Sequence, residues 1–125
     1  MESDPEVILA QFKQMGIECQ NLASKINELG LEKEEHRLVV ESLEKLTPER
    51  KAFRLVGGVL VEKTVGEILP LVTNNYTGIQ QLIATLKTNL DLKDAERKAF
   101  KEKQGIMTQE EREMMMRSQA VAAAK

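Results

Sequence analysis

Residues 52–63 read Ala-Phe-Arg-Leu-Val-Gly-Gly-Val-Leu-Val-Glu-Lys, and this stretch decides the fold. It has the two-residue period of a strand on each side of a central pair of glycines. Because a two-residue turn of the primed type needs positive φ, which glycine adopts freely, the stretch predicts a β-hairpin that turns at Gly57-Gly58. The pairs predicted across the turn are Val56 with Val59, Leu55 with Leu60, Arg54 with Val61 and Phe53 with Glu62.

Outward from the turn, two apolar stripes run along the chain in mirror-image order. In each stripe the residues recur in alternating steps of four and three, which is the a/d period of a coiled coil. We call the two stripes together the seam. The first consists of Ile8, Phe12, Met15, Cys19, Leu22, Ile26, Leu29, Lys33, His36, Val40 and Leu43. The second consists of Val72, Tyr76, Ile79, Ile83, Leu86, Leu90, Lys93, Arg97, Phe100, Gln104 and Met107.

The seam pairs in order, from Leu43 opposite Val72 outward, when the chain folds back at the glycines. Neither arm has to skip a residue. The sequence therefore predicts a mostly α protein, a long antiparallel coiled coil of two helices joined by one β-hairpin. With about 40 residues per arm and about 1.5 Å per residue, each arm is expected to be roughly 60 Å long.

The predicted hairpin is apolar on both of its faces and has open edges. A lone two-stranded hairpin is marginally stable in water, and two helices cannot cover both faces. We therefore expect strands from other chains to cover it, which makes the protein a subunit of an oligomer. The expected subunit-interface residues are Phe53, Arg54, Leu55, Val56, Gly57, Gly58, Val59, Leu60 and Val61.

Local signals set the bounds of the elements within one domain, residues 1–125. Ser3 or Asp4 can cap the first helix, with Pro5 at its first position, and Thr47-Pro48 ends it. The stretch Thr64-Val-Gly-Glu67 is a capping box that starts the second helix, which Pro70 is expected to kink. The predicted bounds are 6–47 for helix 1, 52–63 for the hairpin, 64–116 for helix 2 and 117–125 for a flexible tail.

Composition excludes several classes of function. With 3% aromatic residues, no Trp and 30% charged residues, the chain can fill a thin seam but not a thick core. A net charge of -2 without a concentrated basic face argues against nucleic-acid binding. The sequence shows neither a membrane span nor a signal peptide, so a cytoplasmic location and no membrane partner are expected. A single His and a single Cys leave no metal cluster or catalytic constellation, so we expect no cofactor and no enzyme.

The stretch from Arg50 to Val65, followed by Glu67 and Leu69-Pro70, closely resembles the hairpin signature of the prefoldin family, within its subunit 2 branch of the β class. Further matches are Leu29, Glu35-His36 before Val39-Val40, and Asn74-Asn75. The resemblance covers roughly residues 6–107. It implies a β-class subunit of a heterohexamer of two α-class and four β-class subunits, whose hairpins form a β-barrel from which six coiled coils extend.

The resemblance also implies an ATP-independent co-chaperone. Such a complex captures unfolded polypeptides, notably actin and tubulin, and delivers them to the cytosolic group II chaperonin. Apolar seam residues at the arm tips, several of them adaptable in shape, would then form the client surface. The expected client-binding residues are Val7, Ile8, Leu9, Phe12, Met15, Phe100, Ile106 and Met107. The alternative is a scaffold subunit of a prefoldin-like assembly complex, with the tips as docking sites.

Overall fold

A computed structural model of the chain describes residues 4–123. Its elements in chain order are α1 (Pro5–Glu44), β1 (Lys51–Val56), β2 (Val59–Thr64), α2 (Val65–Gln104) and α3 (Gln109–Ala123). The predicted fold class is confirmed, since two long antiparallel helices pack together with a two-stranded hairpin between them. The contacts divide the chain into two compact units, which separate after Gln20 and after Leu90.

Helix α1 begins where its capping residues predict. The Glu6 backbone N–H donates to Asp4 Oδ1 at 2.9 Å, so Asp4 is the N-cap and Pro5 is the first helical residue. Ser3, the other predicted cap, lies outside the described residues. The helix ends at Glu44, a little before the predicted residue 47, and a turn follows in which the Leu46 N–H donates to the Leu43 carbonyl.

The hairpin has the predicted register in all of its predicted pairs. Val56 lies opposite Val59 and Leu55 opposite Leu60, and the ladder continues to Lys51 opposite Thr64, one pair beyond the predicted bounds. Gly57 has a φ of 56° and Gly58 a φ of 82°, so both turn residues use the positive φ that glycine permits. The pairing therefore follows from the alternation of the strands and the chemistry of the turn.

Burial along the two long helices follows the predicted seam. Leu29, 5% exposed, and Ile83, 8% exposed, are buried, and the other seam residues are half-buried except for Gln104. Gln104, the last residue of α2, is exposed. Leucines that lie between seam positions remain open to solvent, as Leu31 and Leu92 do. Within residues 4–123, no helix combines the length and the apolar character needed to cross a membrane.

The prediction of one helix over residues 64–116 is wrong. Helix α2 runs through Pro70 without interruption but ends at Gln104, because Gly105 adopts a φ of 64°. The N–H groups of Gly105 and Ile106 donate to the carbonyls of Glu102 and Lys101, which is a Schellman motif. Residues 117–123, predicted as a flexible tail, continue helix α3, and residues 124 and 125 lie outside the described chain.

Gly30 weakens α1, and no steric contact among the described residues explains why a glycine stands there. A Cβ built there meets no atom within 4 Å, whereas glycine inside a helix costs about 0.5–1 kcal/mol relative to alanine. We expect Gly30→Ala to raise the free energy of unfolding by about that amount, measured by urea denaturation. The control is Gly66→Ala, because a Cβ there lies 3.3 Å from the Pro48 carbonyl oxygen and should bring no gain. Equal stability of Gly30→Ala and wild type would contradict the expectation.

Candidate functional site

The two faces of the hairpin differ in exposure. Alternation along the strands places Lys51, Phe53, Leu55, Leu60, Glu62 and Thr64 on one face, which we call the open face. Phe53 is 65% exposed on this face, and Leu55 and Leu60 are each 67% exposed. A cross-strand pair of leucines beside a phenylalanine is an apolar patch that other polypeptide can cover.

The second face carries Ala52, Arg54, Val56, Val59, Val61 and Lys63. Val56 and Val59, next to the turn, are exposed, whereas the other four side chains are half-buried. Gly57 and Gly58 are exposed at the turn itself. Among residues 4–123 the sheet has two strands, so each strand keeps one unpaired edge that can accept a further strand.

The hairpin is joined firmly to the start of α2. Val65 is 1% exposed and Ile68 is 6% exposed, so both anchor the core at this junction. The Val65 N–H donates to the Arg50 carbonyl, and the Gly66 N–H donates to the Pro48 carbonyl, both at 2.9 Å. Thr64 caps α2 by accepting a hydrogen bond from the Glu67 N–H, as the predicted capping box requires. The hairpin is therefore held in position relative to the helix that follows it.

A second surface forms where the start of α1 meets the end of α2. An apolar cavity of about 310 Å³ lies there, and we call it the terminal pocket. Its lining residues are Pro5, Ile8, Leu9, Gln104, Gly105, Ile106, Met107 and Arg112. The structure thus brings together Ile8, Leu9, Ile106 and Met107, all expected to bind clients. The client-binding role of these side chains stays a prediction.

The other predicted client residues lie outside this lining. Val7 is 49% exposed on α1, and Met15 and Phe100 are half-buried in the seam. The Arg97 guanidinium lies over the Phe12 ring, 4.7 Å from its centroid, which is a cation–π contact. Phe12 is therefore partly covered by a cation of the same chain.

An ion pair supports the seam next to this contact. Lys93 Nζ lies 2.6 Å from Glu18 Oε2, and both side chains are partly exposed. The hydrogen bond from Lys93 lowers the pKa of Glu18 below its ordinary value, and the same bond raises the pKa of Lys93. The pair is therefore charged at neutral pH, and its contribution is lost as the pH falls through the lowered pKa of Glu18.

Helix α3 contributes a residue that the sequence did not predict for this surface. Thr108 caps α3 by accepting from the Glu111 N–H at 3.2 Å, and Glu111 forms an ion pair with Lys101 of α2. These contacts place Arg112 in the lining of the terminal pocket. The signal for the cap was present as Thr108 followed three residues later by Glu111, which is a capping-box spacing. Beyond it, Met114, Met115 and Met116 are exposed.

Comparisons with known proteins identify relatives whose matches to this chain include the hairpin and most of both helical arms. The family model described as Prefoldin subunit matches residues 6–111. The chain is 45% identical to human prefoldin subunit 2 over 101 residues, which cover 81% of this chain and 66% of the human protein. It is 43% identical to the probable prefoldin subunit 2 of Drosophila melanogaster, covering 81% of this chain and 71% of that one.

A solved structure has the same fold. The crystal structure of the prefoldin beta subunit from Thermococcus strain KS-1 matches with a TM-score of 0.71 at 15% identity, covering 82% of this chain and 93% of that one. The fold is thus shared at low sequence identity. The chain spans about two thirds of the length of its mammalian relatives.

Proposed function

Because the chain belongs to the prefoldin subunit family, we propose that it is a β-class subunit of a heterohexameric, ATP-independent co-chaperone of the cytosol. The complex holds unfolded polypeptides, actin and tubulin among them, and delivers them to the group II chaperonin. The other subunits are two of the α class and three further ones of the β class. The role is non-enzymatic and requires no cofactor.

The observation that carries the proposal is the open face of the hairpin. Phe53, Leu55 and Leu60 are each about two-thirds exposed on a sheet that also has unpaired edges. Full burial of such a side chain is worth about 1.5–3 kcal/mol. Pairing with strands of neighbouring subunits in a closed barrel buries this face and removes the edges at the same time. The predicted interface from Phe53 to Val61 serves this purpose.

The terminal pocket supports the second part of the proposal, which is client capture. Ile8, Leu9, Ile106 and Met107 offer apolar groups of different shapes around an open cavity. The same compact unit, which contains the chain up to Gln20 and from Asp91 onward, carries the other predicted client residues: Val7, Phe12, Met15 and Phe100. A weak apolar site of this kind binds many sequences without preference. Several such arms in one complex hold the client by avidity.

The test is the native mass of the complex that carries this chain. The complex is purified from its own cytosol through a tag on the chain and measured by native mass spectrometry. We expect an assembly of about 80 to 100 kDa that contains six chains of comparable size, one of them the tagged chain. A homodimer, or a complex with one unrelated protein, would contradict the proposal and favour a scaffold role.

A further inference from the structure

Two cations lie close together on the second face of the hairpin. Arg54 pairs with Val61, and Lys63 pairs with Ala52, so the two cations occupy diagonal positions of one face. Diagonal neighbours in an antiparallel pair are about 7–8 Å apart, within reach of long side chains. Both are half-buried. Two like charges at this spacing oppose each other more strongly there than in open solvent.

Neither cation has a counter-ion in the part of the chain that the structure describes. Within residues 4–123, no carboxylate lies at ion-pair distance from Arg54 or Lys63. The hairpin's other lysine differs, because Lys51 Nζ lies 3.4 Å from Glu62 Oε1 on the open face. Glu62 is the one acidic residue from Arg50 to Thr64, and it points to the opposite face from the two cations. The second face is therefore left with two positive charges and no negative charge.

We propose that Arg54 and Lys63 together bind a carboxylate on a strand of a neighbouring subunit, and that this selects a neighbour different from the chain itself. The inference rests on the proposed function, in which the hairpin pairs with other hairpins. An aspartate or glutamate at this position accepts hydrogen bonds from both cations, and the guanidinium can bind it with two parallel bonds.

A second copy of this hairpin cannot supply the carboxylate. It would bring Arg54 and Lys63 against the same two cations of the second face, and its one carboxylate between Arg50 and Thr64, that of Glu62, lies on the open face. Repulsion between like charges disfavours a wrong partner, whereas a strand with an acidic residue is attracted. The positive charge of the hairpin thus favours binding to an acidic neighbour and disfavours pairing with a second copy of the same hairpin.

The test is competition for incorporation into the complex. Cells express wild type and one variant at equal levels with different tags, and the ratio of the two in the purified hexamer is measured by mass spectrometry. We expect Arg54→Ala/Lys63→Ala to be about ten-fold under-represented, since hydrogen bonds to charged groups are lost. We expect Arg54→Lys to be incorporated better than Arg54→Ala, because it keeps the charge.

The matched control is Lys98→Ala, which removes one positive charge from an exposed position of α2, outside the hairpin. It should be incorporated within about two-fold of wild type, because exposed ion pairs contribute little. The double variant removes two charges, so the variant to compare with this control is Arg54→Ala, which removes one. If Arg54→Ala and Lys98→Ala are incorporated equally, the shared carboxylate site is wrong, although the hexamer and the proposed function stand.

The chain by itself tests the selection against self-pairing. Purified wild type should not form a hexamer, whereas Arg54→Ala/Lys63→Ala, which removes the like charges that two copies would bring together, should shift the native mass toward larger oligomers. A stable wild-type homohexamer would overturn the selection. If wild type enters no complex with other subunits in cells, the proposed function fails, and this inference fails with it.

Discussion

The Leu55→Asp/Leu60→Asp variant is expected to fold as a chain but to be absent from the hexamer. The two leucines form a cross-strand pair on the open face, and each is 67% exposed, so aspartate disturbs no packing within the subunit. In the proposed assembly these positions become buried, where each leucine contributes about 1.5–3 kcal/mol and an unpaired carboxylate costs still more. Native mass spectrometry of the tagged chain should then show no species at about 80 to 100 kDa.

The control for this variant is Leu92→Asp. Leu92 is 66% exposed on α2, so the substitution has the same chemistry and starting exposure but lies outside the hairpin. It should enter the hexamer like wild type. Circular dichroism of both variants should retain the helical signal of wild type, which separates failed assembly from failed folding. Incorporation of the double variant at the wild-type level would show that the open face does not face other subunits.

The hairpin and the seam were predictable because each rests on a strict period. A one-residue slip of the hairpin would move Leu55 and Leu60 to opposite faces and place a residue other than glycine in the turn. The alternation of four and three similarly admits only one helical face, and Leu29 and Ile83 are buried on it. In both elements the side-chain pattern and the backbone preference agree, so the sequence alone determines the element.

The end of α2 was missed because the side-chain period and the backbone disagree there. The spacing from Phe100 through Gln104 to Met107 continues the seam, yet Gly105 ends the helix between the last two. The spacing of apolar residues indicates which helix faces pack together. It carries no information on whether a glycine adopts a positive φ and ends the helix. The role of Arg112 could not be predicted for a further reason, since it depends on the direction in which α3 leaves the short linker after α2.

The contact of Arg97 with Phe12 likewise could not be predicted from the spacing of the seam residues. In seam order Arg97 lies opposite Cys19, but its long side chain reaches the Phe12 ring, about two helical turns along α1. Its Nε is buried without a hydrogen-bond partner among the described residues, which a cation–π contact offsets only in part. A sequence pattern predicts on which face of a helix a Cα atom lies. The position of the charged end of a long arginine or lysine side chain depends instead on the residues around it.

The second large effect is expected for the terminal pocket. Leu9→Asp/Ile106→Asp replaces two apolar residues of its lining, one from α1 and one from the segment after α2. The hexamer should form normally, because neither residue lies in the hairpin. Its affinity for an unfolded client should fall by about ten-fold or more, since two apolar contacts are lost and the carboxylates in their place must be desolvated against an apolar segment. The measurement is suppression of aggregation of chemically unfolded actin by the purified hexamer.

The control is Leu31→Asp/Leu38→Asp, which places the same two charges on α1 at residues that are 72% and 51% exposed but lie outside the terminal pocket. It should suppress aggregation as wild type does. Because the proposed hexamer has several arms, loss of one tip should weaken capture without abolishing it, and the comparison of the two double variants isolates this tip. If both variants protect actin equally, the client surface lies elsewhere on the complex. If the wild-type hexamer forms but protects no client, the scaffold role explains the same fold better.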